Sequence, residues 1–196
     1  MNPKTPKQRL TKEEINALPL EYYSGPIHII ESVRDVSRAC IELQSESVLG
    51  FDTETRPAFK KGQYFSPSLL QIASFRAVYL FRINKYGLPS SLKFLLENYK
   101  IIKTGVAIDR DIKDMRKLSD FDPSNFVDLG KVAREKELQH HGLRGLAALL
   151  LKFRISKSSK TSNWDADTLT EKQVKYAATD AWVSRKIYCN LFHFYG

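Results

Sequence analysis

Four acidic side chains stand at positions where the surrounding pattern asks for apolar ones. In Val48-Leu49-Gly50-Phe51-Asp52-Thr53-Glu54 a run of strand character ends in two carboxylates. Strand period two puts Asp52 and Glu54 on one face, behind Val48 and Gly50, and turns Leu49, Phe51 and Thr53 to the other. Two adjacent acids repel each other and resist desolvation unless a cation sits on them. By itself this triplet also fits a strand running out into solvent. Further along, Ile108, Ile112, Met115 and Leu118 form an apolar helical stripe, and Asp111 falls inside it. Asp109 and Asp114 fall to its sides, where solvation or a helix N-terminus suffices. Taken alone, Asp111 also fits a partly exposed stripe edge. In the last helix Tyr176, Asp180, Val183, Ile187 and Leu191 share one face. Asp is a poor helix-interior residue and a worse core residue. Its ordinary explanation would be a buried Arg or Lys partner; on this helix Lys175, Arg185 and Lys186 fall elsewhere.

These positions are reconciled if Asp52, Glu54, Asp111 and Asp180 converge. No His or Cys accompanies them at ligand spacing. Oxygen-only donors suit hard cations, Mg²⁺ or Mn²⁺, which keep waters and bind through few carboxylates plus substrate phosphate. Two such ions roughly 3.5–4 Å apart activate a water and stabilise the leaving oxygen of a phosphodiester.

The elements that would position these acids alternate. Residues 1–25 read as an N-terminal extension to which no chemistry is assigned, with capping-box spacing at Thr11 and Glu14. Residues 26–196 read as one domain. Ile27–Ile30 is a candidate short edge strand, and 32–43 has helical spacing. Strands are predicted at 48–53, 69–74, 77–81, 101–106 and 126–129, with Phe75-Arg76 as a hairpin link. Helices are predicted at 89–98 and 108–118, and the remainder is helical apart from a polar loop at 154–168. Thr170 and Gln173 form a capping box for the last helix, with Leu169 and Val174 as its staple. The pattern is that of an α/β fold with a mixed sheet.

The chain has 196 residues and a net charge of +9. The charge favours a polyanionic partner, most simply nucleic acid, although a merely soluble basic protein would share it. No apolar run spans a bilayer and no signal-peptide core opens the chain. The two cysteines, Cys40 and Cys189, sit in apolar helical contexts and read as core residues of a reducing compartment. The expected location is cytoplasmic, or nuclear in a eukaryote.

Three segments carry a family resemblance: Phe51-Asp52-Thr53-Glu54, Gly105-Val106-Ala107-Ile108-Asp109-Arg110-Asp111 and Tyr176-Ala177-Ala178-Thr179-Asp180. In order and spacing they resemble the exonuclease motifs of the DEDDy 3′–5′ exonucleases, the family of ribonuclease D and the Werner-type exonuclease domain. Pro67-Ser68-Leu69-Leu70-Gln71-Ile72-Ala73 and Ser162-Asn163-Trp164 are similar too. The resemblance covers about residues 28 to 195. It implies a ribonuclease H-like fold, a mixed five-stranded sheet (six with the edge strand) with helices on both faces. It further implies that Asp52, Glu54 and Asp180 hold one divalent cation, with Asp52 bridging to a second. Asp111 would support the second cation and Tyr176 would orient the attacking water. A related subclass carries a His at the position of Lys175. The Werner-type domain has a Trp at the position of Lys113, where a lysine favours phosphate over base stacking. Without the helical domains of ribonuclease D or the helicase of the Werner protein, the chain is expected to be a stand-alone nuclease acting on a free 3′ end.

Arg56, Lys113, Lys157, Lys160 and Ser162 are the candidate nucleic-acid contacts, and each also fits a solvated surface. Lys60 and Lys61 are further candidates. Phe59, Tyr64 and Phe65 fit base stacking or loop packing equally. Phosphate contacts position a strand without reading its sequence. The expected activity is metal-dependent removal of nucleotides from a 3′ end, DNA slightly favoured. The rivals are an RNA 3′-trimming enzyme and an inactive exonuclease-fold binding module. The latter would be expected to have lost an acid, and all four are present.

Overall fold

The structure, a computed structural model, describes residues 9–159 and 161–194. Its centre is a six-stranded sheet in the order β1-β4-β3-β2-β5-β6. The strands are β1 (Ile27–Ile30), β2 (Val48–Thr55), β3 (Pro67–Ala73), β4 (Val78–Phe81), β5 (Ile102–Gly105) and β6 (Phe126–Asp128). β2, β3 and β4 are antiparallel neighbours. β1 joins β4, and β5 and β6 join β2, in parallel. The hairpin at Phe75-Arg76 and the edge strand 27–30 therefore form as the sequence predicts. β2 continues to Thr55, past its predicted end, with a bulge between Glu54 and Thr55.

Helices cover both faces. They are α1 (Lys12–Ala17), α2 (Val33–Leu43), α3 (Ile83–Tyr86), α4 (Ser90–Glu97), α5 (Asp109–Leu118), α6 (Leu129–Glu135), α7 (Leu143–Leu146) and α8 (Glu171–Phe192), with a π-helical turn at Ala147–Leu151. Leu49, Phe51, Leu70, Ile72 and Phe81 pack on one side with residues of α2, α4 and α5. Val48, Leu69, Ala73, Val78 and Leu80 pack on the other against α8 and the segments before it. Burying one such aliphatic side chain contributes about 1.5–3 kcal/mol, so strand alternation suffices to hold two helical layers on one sheet. Both predicted capping boxes form, at Thr11/Glu14 and at Thr170/Gln173, and Leu169 and Val174 lie in the same apolar cluster. Cys40 is buried, and desolvation pushes its thiol up to about 12. Among the described residues no helix is long and apolar enough to cross a membrane.

Residues 9–26, ahead of β1, are packed onto the domain. Ile15 is buried. Leu20 and Arg154 form a parallel bridge, in which Arg154 N donates to Pro19 O and Glu21 N to Arg154 O, each at 2.9 Å. Tyr23 N donates to Thr179 Oγ1 at 3.1 Å, tying the segment to α8.

Candidate active site

The geometry of the site begins at Gly50. A Cβ there would lie 2.0 Å from the carbonyl oxygen of Ala181, so the absence of a side chain lets α8 lie directly on β2. The next residue on the same strand face is Asp52, and the residue before Ala181 is Asp180. Close approach of strand and helix therefore brings the two acids together, with Glu54 two residues further along. One carboxylate oxygen from each of Asp52, Glu54 and Asp180 lies within 4.8 Å of the others. Glu54 and Asp180 are buried and Asp52 is half-buried. Three carboxylates at this separation repel strongly when ionised. As a donor set they are hard, anionic and all-oxygen, which fits a divalent cation of the Mg²⁺ or Mn²⁺ type.

Asp111 is not in this group of three. It lies at the same level of β2, on the side to which the odd-numbered residues turn. There Thr53 Oγ1 donates a hydrogen bond to Asp111 Oδ1. Burial raises the Asp111 carboxyl above its ordinary value, and the Thr53 hydrogen bond opposes the rise. The approach of α5 has a local cause. β5 pairs with β2 only from Val48 to Gly50, so the edge of β2 is not covered by β5 beside the acids. At Gly105 a Cβ would meet Phe51 O at 2.4 Å, and Ala107 takes a positive φ of 61°. This tight exit from β5 aims the first turn of α5 at Thr53. The flanking Asp109 and Asp114 are spent elsewhere, in ion pairs with Lys131 at 2.6 Å and with Lys117 at 2.7 Å.

Tyr176 lies one helical turn before Asp180 and is buried. Desolvation raises its phenol, and the charges of Asp180, Glu54 and Asp52 raise it further. Both effects favour the protonated phenol. The buried Arg185, one turn beyond, donates through Nε to Val48 O at 3.1 Å and faces Glu46 at 3.8 Å.

The candidate grip residues scatter. Lys157 lines a cavity of about 820 Å³ that Tyr176 and Asp180 also line. Arg56 is exposed and lies 4.9 Å above the Phe65 ring. Lys113 is exposed on α5. Ser162 donates its backbone N–H to Ser159 O at 3.1 Å. Lys160 lies outside the described residues. Phe59 is fully displayed at the loop after β2, whereas Tyr64 packs under Lys117 at 4.4 Å. His140 and His141 precede α7, and the ring of His140 bonds to Leu10 O at 3.1 Å.

Two residues of this region escape a reading of the acids alone. Thr53 is one. The other is Gln71, paired directly across from Asp52 and so on its face of the sheet, with both amide atoms buried and without hydrogen-bond partners. A glutamine inside the apolar run Leu69-Leu70-Gln71-Ile72-Ala73 is the signal that marks it.

The profile of the 3'-5' exonuclease family matches residues 27–193. The chain belongs to the 3'-5' exonuclease family. Among curated relatives it is 38% identical over 159 residues to the bifunctional 3'-5' exonuclease/ATP-dependent helicase WRN of Mus musculus, a match spanning 77% of this chain and 11% of that protein. It is 35% identical over 162 residues to the human exonuclease 3'-5' domain-containing protein 2, spanning 76% of this chain and 26% of the relative. The chain thus spans a minor part of the length of these relatives. In fold, this exonuclease-family chain is similar to the Nibbler EXO domain of Aedes aegypti, with a TM-score of 0.76 at 23% identity, covering 96% of this chain and 94% of that one. It is also similar to Escherichia coli RNase D, with a TM-score of 0.77 at 21% identity, covering 85% and 44% of the two chains. These neighbours are ribonuclease H-like exonuclease domains, the fold that the sequence resemblance implies.

Proposed function

We propose that this chain hydrolyses the terminal phosphodiester bond at the 3′ end of a nucleic acid strand and releases 5′-mononucleotides one at a time. The observation that carries the reading is the meeting of Asp52, Glu54 and Asp180 from two distant segments, with Tyr176 one turn from Asp180. Asp52, Glu54 and Asp180 would hold one divalent cation, and Asp111 would support a second from the Thr53 side. Bound there, Mg²⁺ or Mn²⁺ supplies a nucleophilic water at neutral pH and neutralises charge on the leaving oxygen. The remaining work falls to the chain itself. Tyr176, held protonated, donates a hydrogen bond that orients the water. Burial of Glu54 and Asp180 fixes their rotamers, which preserves the geometry that an in-line attack requires.

DNA is the first reading of the substrate. RNA trimming is the second reading. It draws on Trypanosoma brucei RNase D, a protein of the same fold solved in complex with RNA U12. Lys113 in place of an aromatic removes one stacking platform that either preference could have used. Purified protein incubated with strands labelled at the 3′ or the 5′ end, as DNA and as RNA, with and without Mn²⁺, tests the proposal. Metal-dependent laddering from the 3′ end is expected. Internal fragments, or no metal-dependent product, would overturn it.

A further inference from the structure

The cavity that reaches Tyr176 and Asp180 is walled on one side by a segment outside the family-matched region. Arg9, Leu10, Thr11, Lys12 and Ile15 line it, facing residues around α7 and the loop at Ser156-Lys157. Its volume of about 820 Å³ falls within the roughly 300–1,000 Å³ of sites that enclose a ligand. The wall is anchored. Thr11 caps α1 with a full capping box, Ile15 is buried, Leu10 O bonds the His140 ring at 3.1 Å, and Arg144 Nη2 donates to Asn16 Oδ1.

The charge lining is lopsided. Arg9, Lys12, Arg144 and Lys157 border the cavity, and Asp180 is its one acid among the described lining residues. Glu13 and Glu14, although on the same short helix, are not among them. Arg144 is held in the cavity wall by the bond from its Nη2 to Asn16, and its Nε is buried without a hydrogen-bond partner.

We propose that residues 9–15 are part of the substrate site, and that Arg9 and Lys12, with Arg144 and Lys157, hold backbone phosphates of a single strand whose 3′ end lies at the carboxylates. The inference rests on the exonuclease reading for its direction along the strand. A terminal bond positioned at Asp180 sends the preceding nucleotides out through this cavity, where phosphate is the one group every nucleotide presents. Grip by phosphate is independent of sequence and of sugar, so both dT and U strands are expected to use it.

The test is the salt dependence of binding, measured by anisotropy of 5′-labelled dT and U strands on the full chain in EDTA, where no cleavage is needed. Each phosphate contact to a single strand contributes about 0.7 to the slope of log K against log salt. The Arg9→Ala/Lys12→Ala double variant is expected to lower that slope by about 1.4 and to weaken binding about tenfold at low salt. Both residues are exposed, so folding is not at stake. Arg34→Ala/Lys100→Ala removes the same charge from exposed positions on the segments that pack against the other sheet face and is expected to keep the wild-type slope. With Mn²⁺, the Arg9/Lys12 variant is expected to raise KM and leave kcat in place. A wild-type slope and KM in that variant, or an equal loss in the Arg34/Lys100 control, would overturn the proposal. Failure of the exonuclease reading shows separately, as full cleavage by Asp52→Asn.

Discussion

The hydroxyl of Thr53 donates to the carboxylate of Asp111, across the strand face opposite to Asp52 and Glu54. One strand thus addresses four acids. Its even-numbered residues contribute two of them and meet Asp180, while the odd residue between them holds Asp111. A hydrogen bond to a charged group is worth about 1.5–3 kcal/mol. Thr53→Val keeps the shape and removes the donor. It is expected to lower kcat about tenfold to a hundredfold with an unchanged circular dichroism spectrum, well short of the loss in Asp111→Ala. Steady-state kinetics on a labelled strand checks this.

The three-acid group should be felt in stability. Without a cation, Asp52, Glu54 and Asp180 repel, so Asp180→Asn is expected to leave the melting temperature in EDTA equal or higher while abolishing cleavage. Wild type should gain about 2.7 kcal/mol when Mn²⁺ is a hundredfold above Kd, a rise of several degrees at about 2–4 °C per kcal/mol for a domain of this size. Asp180→Asn should lose most of that rise. Scanning fluorimetry with and without Mn²⁺ measures both.

Tyr176 is expected to act as a hydrogen-bond donor, since burial and three carboxylates hold its phenol above the ordinary range. Tyr176→Phe should cost about tenfold in kcat, less than loss of any carboxylate, because one positioned donor is worth less than a ligand set. The shape of the pH–rate profile should stay the same, since the phenol does not titrate within it. A profile that loses a limb in the variant would assign Tyr176 the role of base instead.

Much of this arrangement was legible in the sequence, for a shared reason. Asp111 and Asp180 interrupt apolar stripes, and Asp52 and Glu54 end an apolar strand, so periodicity marks the four together although the strand pair and Asp111 each also fit an exposed position when taken alone. The side chains that support them left weaker traces. Thr53 is an ordinary strand residue, and its bond to Asp111 depends on a turn at Gly105 and Ala107 whose direction no spacing encodes. The docking of residues 9–25 rests on contacts with Arg154 and Thr179, far away in the chain, which pattern reading cannot see. Arg185 sits off the predicted apolar stripe yet is buried, because α8 is covered on more than one side.

Lys103 shows the same limit and carries a pH prediction. It is fully buried on β5, where its ammonium donates to Asn98 O at 2.8 Å and Ile101 O at 2.9 Å. Desolvation lowers its pKa from 10.5 to about 8. The folded state therefore binds this proton less tightly than the unfolded chain. Below about pH 8 the charged amine costs the fold stability, and that cost is relieved as pH rises from about 8 towards 10.5. The full relief is on the order of 3 kcal/mol at 1.36 kcal/mol per pKa unit. Lys103→Met should remove the rise, as read from urea midpoints at pH 7.5 and 9.5, chosen to lie about either side of that pKa.

Gly50→Ala tests the strand–helix approach. The new Cβ would strike the backbone of Ala181, and overpacking of this kind costs about 1–3 kcal/mol. A fall of several degrees in melting temperature is expected, with a loss of activity larger than that fall explains, because Asp180 moves with Ala181.

The most direct measurement is anomalous diffraction from crystals soaked in Mn²⁺. The expected result is a peak bonded to carboxylate oxygens of Asp52, Glu54 and Asp180, at about 2.0–2.2 Å as for a hard six-coordinate ion. A fully soaked crystal with no anomalous density among those three side chains, or with the ion held elsewhere on the chain, would contradict the account.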